Sequence, residues 1–261
     1  MATILMPIPA SDFDPTETGV PWRILEAVGH DVVVATPDGK PANADPIMLT
    51  GRGLGLLAPV LRANADGRRA YETLAASAAF KAPIRWKDAR AGDFDALLLP
   101  GGHAKGMRPY LESAKLQSIV ADVFAAGKPV GAICHGTLLA ARSKAANGKS
   151  VLHGRKTTGL TRAQEMLAWR LTFAWMGDYY RTYPTPLETE VRSLLASPAD
   201  FETGPASISR DSFEHTERGF TLCDGNYLSA RWPGDAHRFG VEFAAQVAAA
   251  QSAHMDPATK H

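Results

Sequence analysis

Lys128-Pro-Val-Gly-Ala-Ile-Cys134-His135-Gly136 is the stretch that decides the fold. A short apolar run stops at a cysteine, a histidine and a glycine follow, and residues 136–146 then read as an Ala- and Leu-rich helix. That order is a nucleophile elbow: a strand ends, the chain turns sharply, and a reactive side chain is held at the mouth of a helix. Helix N-termini carry partial positive charge, so the position predicts a lowered pKa at Cys134. The thiolate is the attacking species, so placement alone can turn a small apolar residue into a catalyst.

Outward from the elbow, strands alternate with helices. Residues 3–8, 31–35, 93–100 and 129–133 read as strands; residues 16–28 and 113–126 have the period and the caps of helices. Downstream come a strand at 156–159, helices at Arg162–Met176 and 187–195, a strand pair at 220–224 and Tyr227–Ala230 joined at Gly225-Asn226, and a closing helix at 235–250. The alternation predicts an α/β domain over about residues 1–255, a mostly parallel sheet with helices on both faces. Residues 40–92, with possible helices at 54–63 and 70–78, read as an insertion decorating the sheet edge, and about 165–215 as a second one. The last six residues read as a frayed tail.

In open sheets of this kind, sites lie outside the carboxyl ends of the strands. Three features fall there: Glu17 after the first strand, Gly101-Gly102-His103 after the third, and Cys134-His135 after the central one. Covalent chemistry at a carbonyl needs a nucleophile, a base and donors for the oxyanion. Cys134 and His135 supply the first two. The amides of Gly102 or His103 and of His135 are the candidate donors. Cys223 lacks any such frame and reads as structural. The aromatic run at 169–183 reads as packing or as a dimer surface.

Composition excludes other classes. The net charge of +1 gives no footprint for nucleic acid or an anionic membrane. No apolar stretch is long enough to span a bilayer, and the N-terminus lacks a signal-peptide pattern. Two cysteines make no disulfide framework, and a reducing, cytoplasmic setting is the expectation. No His/Cys/Asp spacing suggests a metal site, and Gly51-x-Gly53-x-Gly55 lacks the strand that precedes a dinucleotide loop, so no cofactor is expected.

Asp95-Ala-Leu-Leu-Leu-Pro-Gly-Gly-His103 followed by Ala132-Ile-Cys134-His135-Gly136 resembles the ThiJ/PfpI superfamily. Phe13-Asp-Pro-Thr-Glu17-Thr-Gly, Val34-Ala-Thr-Pro-Asp-Gly39 and Asp224-Gly-Asn-Tyr-Leu agree, and Glu72-Thr-Leu with Asp93-Phe-Asp is similar to the branch of heat-shock chaperones and glutathione-independent glyoxalases. The resemblance implies the flavodoxin-like three-layer fold of class I glutamine amidotransferases. It implies Cys134 as nucleophile, His135 as base, Glu17 hydrogen-bonded to the sulfur, and Glu165 as the carboxylate that orients His135. It implies a small carbonyl substrate such as methylglyoxal, converted to a 2-hydroxy acid, and a homodimer. Hydrolysis of an amide at the same site, as in a peptidase or deglycase, is the alternative; a stress chaperone or redox sensor is another. The sequence departs from the branch at Glu165-Met166, where paired acidic residues are usual, and at Ser229-Ala-Arg-Trp-Pro-Gly.

Overall fold

The computed structural model describes residues 1–206 and 208–255. Among the described residues nine strands form in chain order: β1 (Thr3–Pro7), β2 (Ser11–Phe13), β3 (Asp31–Thr36), β4 (Asn43–Ala44), β5 (Ile84–Arg85), β6 (Ala96–Leu99), β7 (Val130–Ile133), β8 (Thr221–Asp224) and β9 (Tyr227–Ala230). Seven of them make one sheet in the order β5-β3-β1-β6-β7-β9-β8. All neighbours run parallel except β8, which returns antiparallel beside β9. Strands β6, β7 and β9 are buried at every position. Central strands covered on both faces need such continuous apolar runs, which is what Ala96-Leu-Leu-Leu99 and Val130-Gly-Ala-Ile133 supply.

One helical layer packs Pro15–Ala27 against Ala65–Ala76 and Ala236–Met255; the other gathers Ala114–Ala125 and Leu187–Leu194 against Gly136–Arg142. The sheet lies between them, in the expected flavodoxin-like α/β arrangement. The chain moves outward from β1 to β3 on one side and from β6 to β7 on the other. The strand order therefore reverses between β1 and β6, and a crevice forms at such a switch point. Glu17, Gly101 and Cys134 all stand at this edge of the sheet.

Several local expectations are corrected. Residues 156–159 form no strand; Thr157 makes a single parallel bridge to Phe201. The 40–92 region is part of the sheet as well as decoration, because β5 pairs with β3 at its edge, while β4 pairs with β2 in a separate two-stranded sheet. The helix behind the elbow ends at Arg142, where the Ser143 hydroxyl bonds back to the Leu139 carbonyl at 2.8 Å and the chain leaves for a bridge between Lys144 and Ser150. Cys223 is exposed on the edge strand β8, so it is not a core residue. The tail expectation for residues 256–261 lies outside the described residues. No described helix is long and apolar enough to cross a membrane.

Candidate active site

Cys134 sits between β7 and the helix Gly136–Arg142 with φ of 54°. That left-handed value is costly for a residue with a Cβ, by roughly 1–3 kcal/mol, and persists only where the surroundings enforce it. They do so here. The Cys134 amide donates to Ala230 O at 3.0 Å. Its carbonyl accepts from the Thr137 hydroxyl at 2.7 Å. Gly136 is required by close approach: a Cβ there would lie 2.0 Å from Leu99 O. The elbow read from the sequence is thus present, wedged between β6 and β9.

Three groups face the sulfur. His135 Nδ1 lies 3.5 Å from Sγ. The His135 amide is directed at the sulfur as well. The Glu17 carboxyl is the third, and it also takes the Gly101 amide. Glu17 gets there because Asp14 caps its helix, accepting the Thr16 and Glu17 amides at 2.7 and 3.0 Å, while Pro15 opens the first turn. Gly101 makes the approach possible, since a Cβ would meet Glu17 Oε2 at 2.6 Å and the His135 amide nitrogen at 2.7 Å.

The carboxylate expected to orient His135 is elsewhere. Glu165 is buried, but its Oε2 caps the next helix by accepting the Leu187 amide at 3.0 Å, and its Oε1 pairs with Arg181 Nε at 3.3 Å. The group that holds His135 is Thr182, whose Oγ1 lies 3.0 Å from Nε2. Hydrogen-bond counting assigns the tautomer. A hydroxyl has one proton, and that of Thr182 goes to the His103 carbonyl in a short bond. Thr182 must then accept from Nε2–H, which leaves Nδ1 as the acceptor facing the thiol. Arg108 Nε fixes the loop by donating to Thr182 O at 2.8 Å.

Protonation differs from the sequence expectation. Burial pushes the Cys134 thiol well above its ordinary value, and the nearby Glu17 and Asp14 carboxyls add to the rise. A helix terminus favours a charge by roughly 0.3–1 kcal/mol at exposed sites. Full burial can move a pKa by roughly 3–5 units, or about 4–7 kcal/mol, so burial wins. Burial and the Asp14 charge likewise raise Glu17 far above the carboxylate range, so Glu17 is a neutral acid beside the sulfur. Burial, with His103 and Arg142 near, drives His135 down to about 3, so its ring is neutral. The resting state is a neutral thiol, a neutral acid and a neutral imidazole with its lone pair toward the thiol.

His103 acts through its backbone, as its carbonyl completes the Thr182 relay. Its ring stacks on Tyr180 at 4.5 Å and meets Tyr179 edge-on at 5.0 Å. Tyr179 is tied down by a short hydrogen bond to the Asp45 carboxylate. The aromatic run therefore splits. Phe173 and Trp175 are 53% and 56% exposed, while Tyr179 and Tyr180 pack on the His103 ring and Thr182 joins the His103 carbonyl to the His135 ring. Sequence reasoning missed Thr182, Tyr180 and Arg210, the last half-buried with its charge acting on Glu17 and Tyr180. Among the described residues, no group of three His, Cys, Asp or Glu side chains could hold a metal ion.

A family model described as ThiJ/PfpI family-like matches residues 8–205. Deglycase PfpI of Pyrococcus furiosus is 26% identical over 234 residues, spanning 90% of this chain and 93% of its own. Glutathione-independent glyoxalase hsp3101 of Schizosaccharomyces pombe is 24% identical over 151 residues, spanning 57% of this chain and 58% of its own. Among solved structures, glyoxalase III of Candida albicans superposes with a TM-score of 0.62 at 17% identity, covering 94% of this chain and 96% of that one. The Rapid Encystment Protein of Francisella tularensis superposes at 0.69 with 17% identity, covering 95% of this chain and 99% of that one. These likenesses support the fold.

Proposed function

Since this chain belongs to the ThiJ/PfpI family, and its thiol faces an imidazole nitrogen held as an acceptor, we propose that it converts 2-oxoaldehydes to 2-hydroxy acids without glutathione. The thiol proton passes to His135 Nδ1 as sulfur bonds to the aldehyde carbon. The carbonyl π bond breaks, and the oxygen takes a proton to give a hemithioacetal. The charge on that oxygen as it forms falls to the His135 amide, with the Gly102 or His103 amide as second donor. His135 then removes the C1 proton, the electron pair moves toward C2, and the C2 oxygen is protonated to an enediol. His135 then takes the C1 hydroxyl proton and returns it to C2, so the C1 carbonyl forms and the adduct becomes a thioester of the 2-hydroxy acid. Water cleaves the carbon–sulfur bond and restores the thiol. The aldehyde carbon is oxidised and its neighbour reduced, so the sum is substrate plus water, with no outside oxidant.

The observation that supports this most is the 3.5 Å approach of Nδ1 to Sγ, with the opposite ring nitrogen fixed by Thr182. The pair becomes an ion pair on proton transfer, which offsets the burial that keeps each partner neutral at rest. A second reading, release of an amine from a carbonyl adduct, is favoured by the deglycase name of the relative that spans most of the chain. It uses the same thiol and base. Protein supplied with methylglyoxal and no glutathione should form lactate, and Cys134→Ala should stop it. Undiminished lactate in that variant would refute the reading. Amine release from a methylglyoxal–amine adduct without lactate from free methylglyoxal would select the second.

A further inference from the structure

Besides Glu17 Oε2, four buried side-chain atoms in this part of the fold have no hydrogen-bond partner among the described residues: Arg210 Nη1, Tyr180 Oη, His103 Nε2 and Trp232 Nε1. Native interiors leave few such groups, because each costs about 1–3 kcal/mol. Ring contacts join them in two pairs, and the charge of Arg210 links the pairs. The Arg210 guanidinium lies 5.5 Å from the Trp232 ring centroid, and its charge acts on Glu17 and Tyr180. Tyr180 stacks on His103, and the His103 carbonyl receives the Thr182 hydroxyl that holds the His135 ring. Trp232 lies two residues beyond Ala230, whose carbonyl takes the Cys134 amide.

Arg210 is anchored while part of it is left over. Nη2 donates to the carbonyls of Val60 and Arg62, at 3.1 Å each. Nη1 remains, with hydrogens to give and nothing to receive them. Of the carboxyls within reach of its field, Asp14 caps a helix, Asp211 takes His237 and the Arg238 amide, and Glu17 faces the sulfur. A guanidinium and an indole can only donate. A group that satisfies both must accept, and one that compensates the guanidinium must be anionic. A single negative charge fits best, since the Asp14 carboxylate acts on Arg210 and would oppose a dianion.

We propose that Arg210, Tyr180, Trp232 and His103 form a subsite for a substrate carboxylate, so that the preferred 2-oxoaldehydes are those bearing a carboxylate. The assignment deepens the carbonyl reading above and rests on it. The methyl group of methylglyoxal gives these donors nothing to bind. A substrate such as 4,5-dioxopentanoate places a carboxylate two methylenes from the reacting pair, and with one water it yields 2-hydroxyglutarate by the same steps.

The test compares kcat/KM for 4,5-dioxopentanoate and methylglyoxal, and measures glutarate binding by calorimetry. Hydrogen bonds to a charged group are worth about tenfold or more in binding. The intact protein should favour the anionic aldehyde by about that factor, and Arg210→Gln should erase the preference, chiefly through KM. Glutarate should bind the intact protein and bind Arg210→Gln about tenfold more weakly. Trp232→Phe, which removes a single N–H, should weaken glutarate by about threefold to tenfold and serves if Arg210→Gln does not fold. Equal preference in intact and variant protein, or glutarate binding that ignores both changes, overturns the subsite. Arg210-dependent glutarate binding with turnover of neither aldehyde overturns the carbonyl reading and leaves the subsite standing.

Discussion

Thr182→Val isolates the part of the site that the sequence did not show. Valine keeps the shape of threonine and removes only Oγ1. Two buried groups lose their partner at once, the His135 Nε2–H at 3.0 Å and the His103 carbonyl. Each unpartnered group costs about 1–3 kcal/mol, so stability should fall by about 2–6 kcal/mol, read as a lower denaturation midpoint with unchanged slope. The effect on turnover is separate. During thiol attack His135 becomes an imidazolium, and its bond to Thr182 becomes charge-assisted, worth about 1.5–3 kcal/mol. Without it the ring can also flip to the tautomer that turns Nδ1–H toward the sulfur and cannot accept. kcat for methylglyoxal should drop by about 10–150-fold, and alkylation of Cys134 by iodoacetamide at neutral pH should slow in step. Thr182→Ser keeps the oxygen and should restore both to within about threefold. A valine variant with intact kcat, or a serine variant as impaired as valine, would refute the relay.

Glu17→Gln tests the neutral acid. Gln is an uncharged but weaker donor, so the pH midpoint of thiol alkylation should rise; a fall would show Glu17 charged at rest. Glu165→Gln tests the correction to the catalytic set, and kcat should stay within about threefold because Glu165 does not touch His135. The same variant tests linkage. Burial raises Glu165 to about 7 from 4.5, so the fold favours its protonated form. The resulting stability is complete below about pH 4.5 and is lost as pH rises to about 7, a span of about 3 kcal/mol. Glu165→Gln should flatten that part of the stability–pH curve, and an unchanged slope between pH 5 and 7 would contradict the assignment. His135 works in the opposite sense, since its folded pKa is depressed to about 3. The stability it contributes is present above about pH 6.5 and is lost on acidification, and His135→Asn should reduce acid sensitivity over that window.

Much of the site was legible because its signals are local. The apolar run of 129–133 ending at Cys134, the glycines at 101 and 102, and Asp14 with Pro15 opening the helix that carries Glu17 are short-range patterns with fixed geometric meaning. Thr182 had no such signal. It is one hydroxyl in the 165–215 region, placed by an Arg108 bond and by the stacking of Tyr180 on His103, none of which is periodic in sequence. Glu165 was assigned by position along the chain, whereas its side chain is turned to Arg181 and to the amide of Leu187. The state of the thiol was misjudged because the helix behind it is only 7 residues long and begins in the interior, where desolvation outweighs the dipole. Strand β5 was hidden for another reason, as two residues are too few to show an alternation.

The most direct test is to trap the adduct. Protein mixed with methylglyoxal, quenched in acid within one turnover and digested, should carry one substrate mass on the peptide that contains Cys134, and Glu165→Gln should accumulate it as the intact protein does. Lactate produced while that peptide stays unmodified at every quench time, with the label on Cys223 or on no cysteine, would contradict covalent catalysis at the elbow.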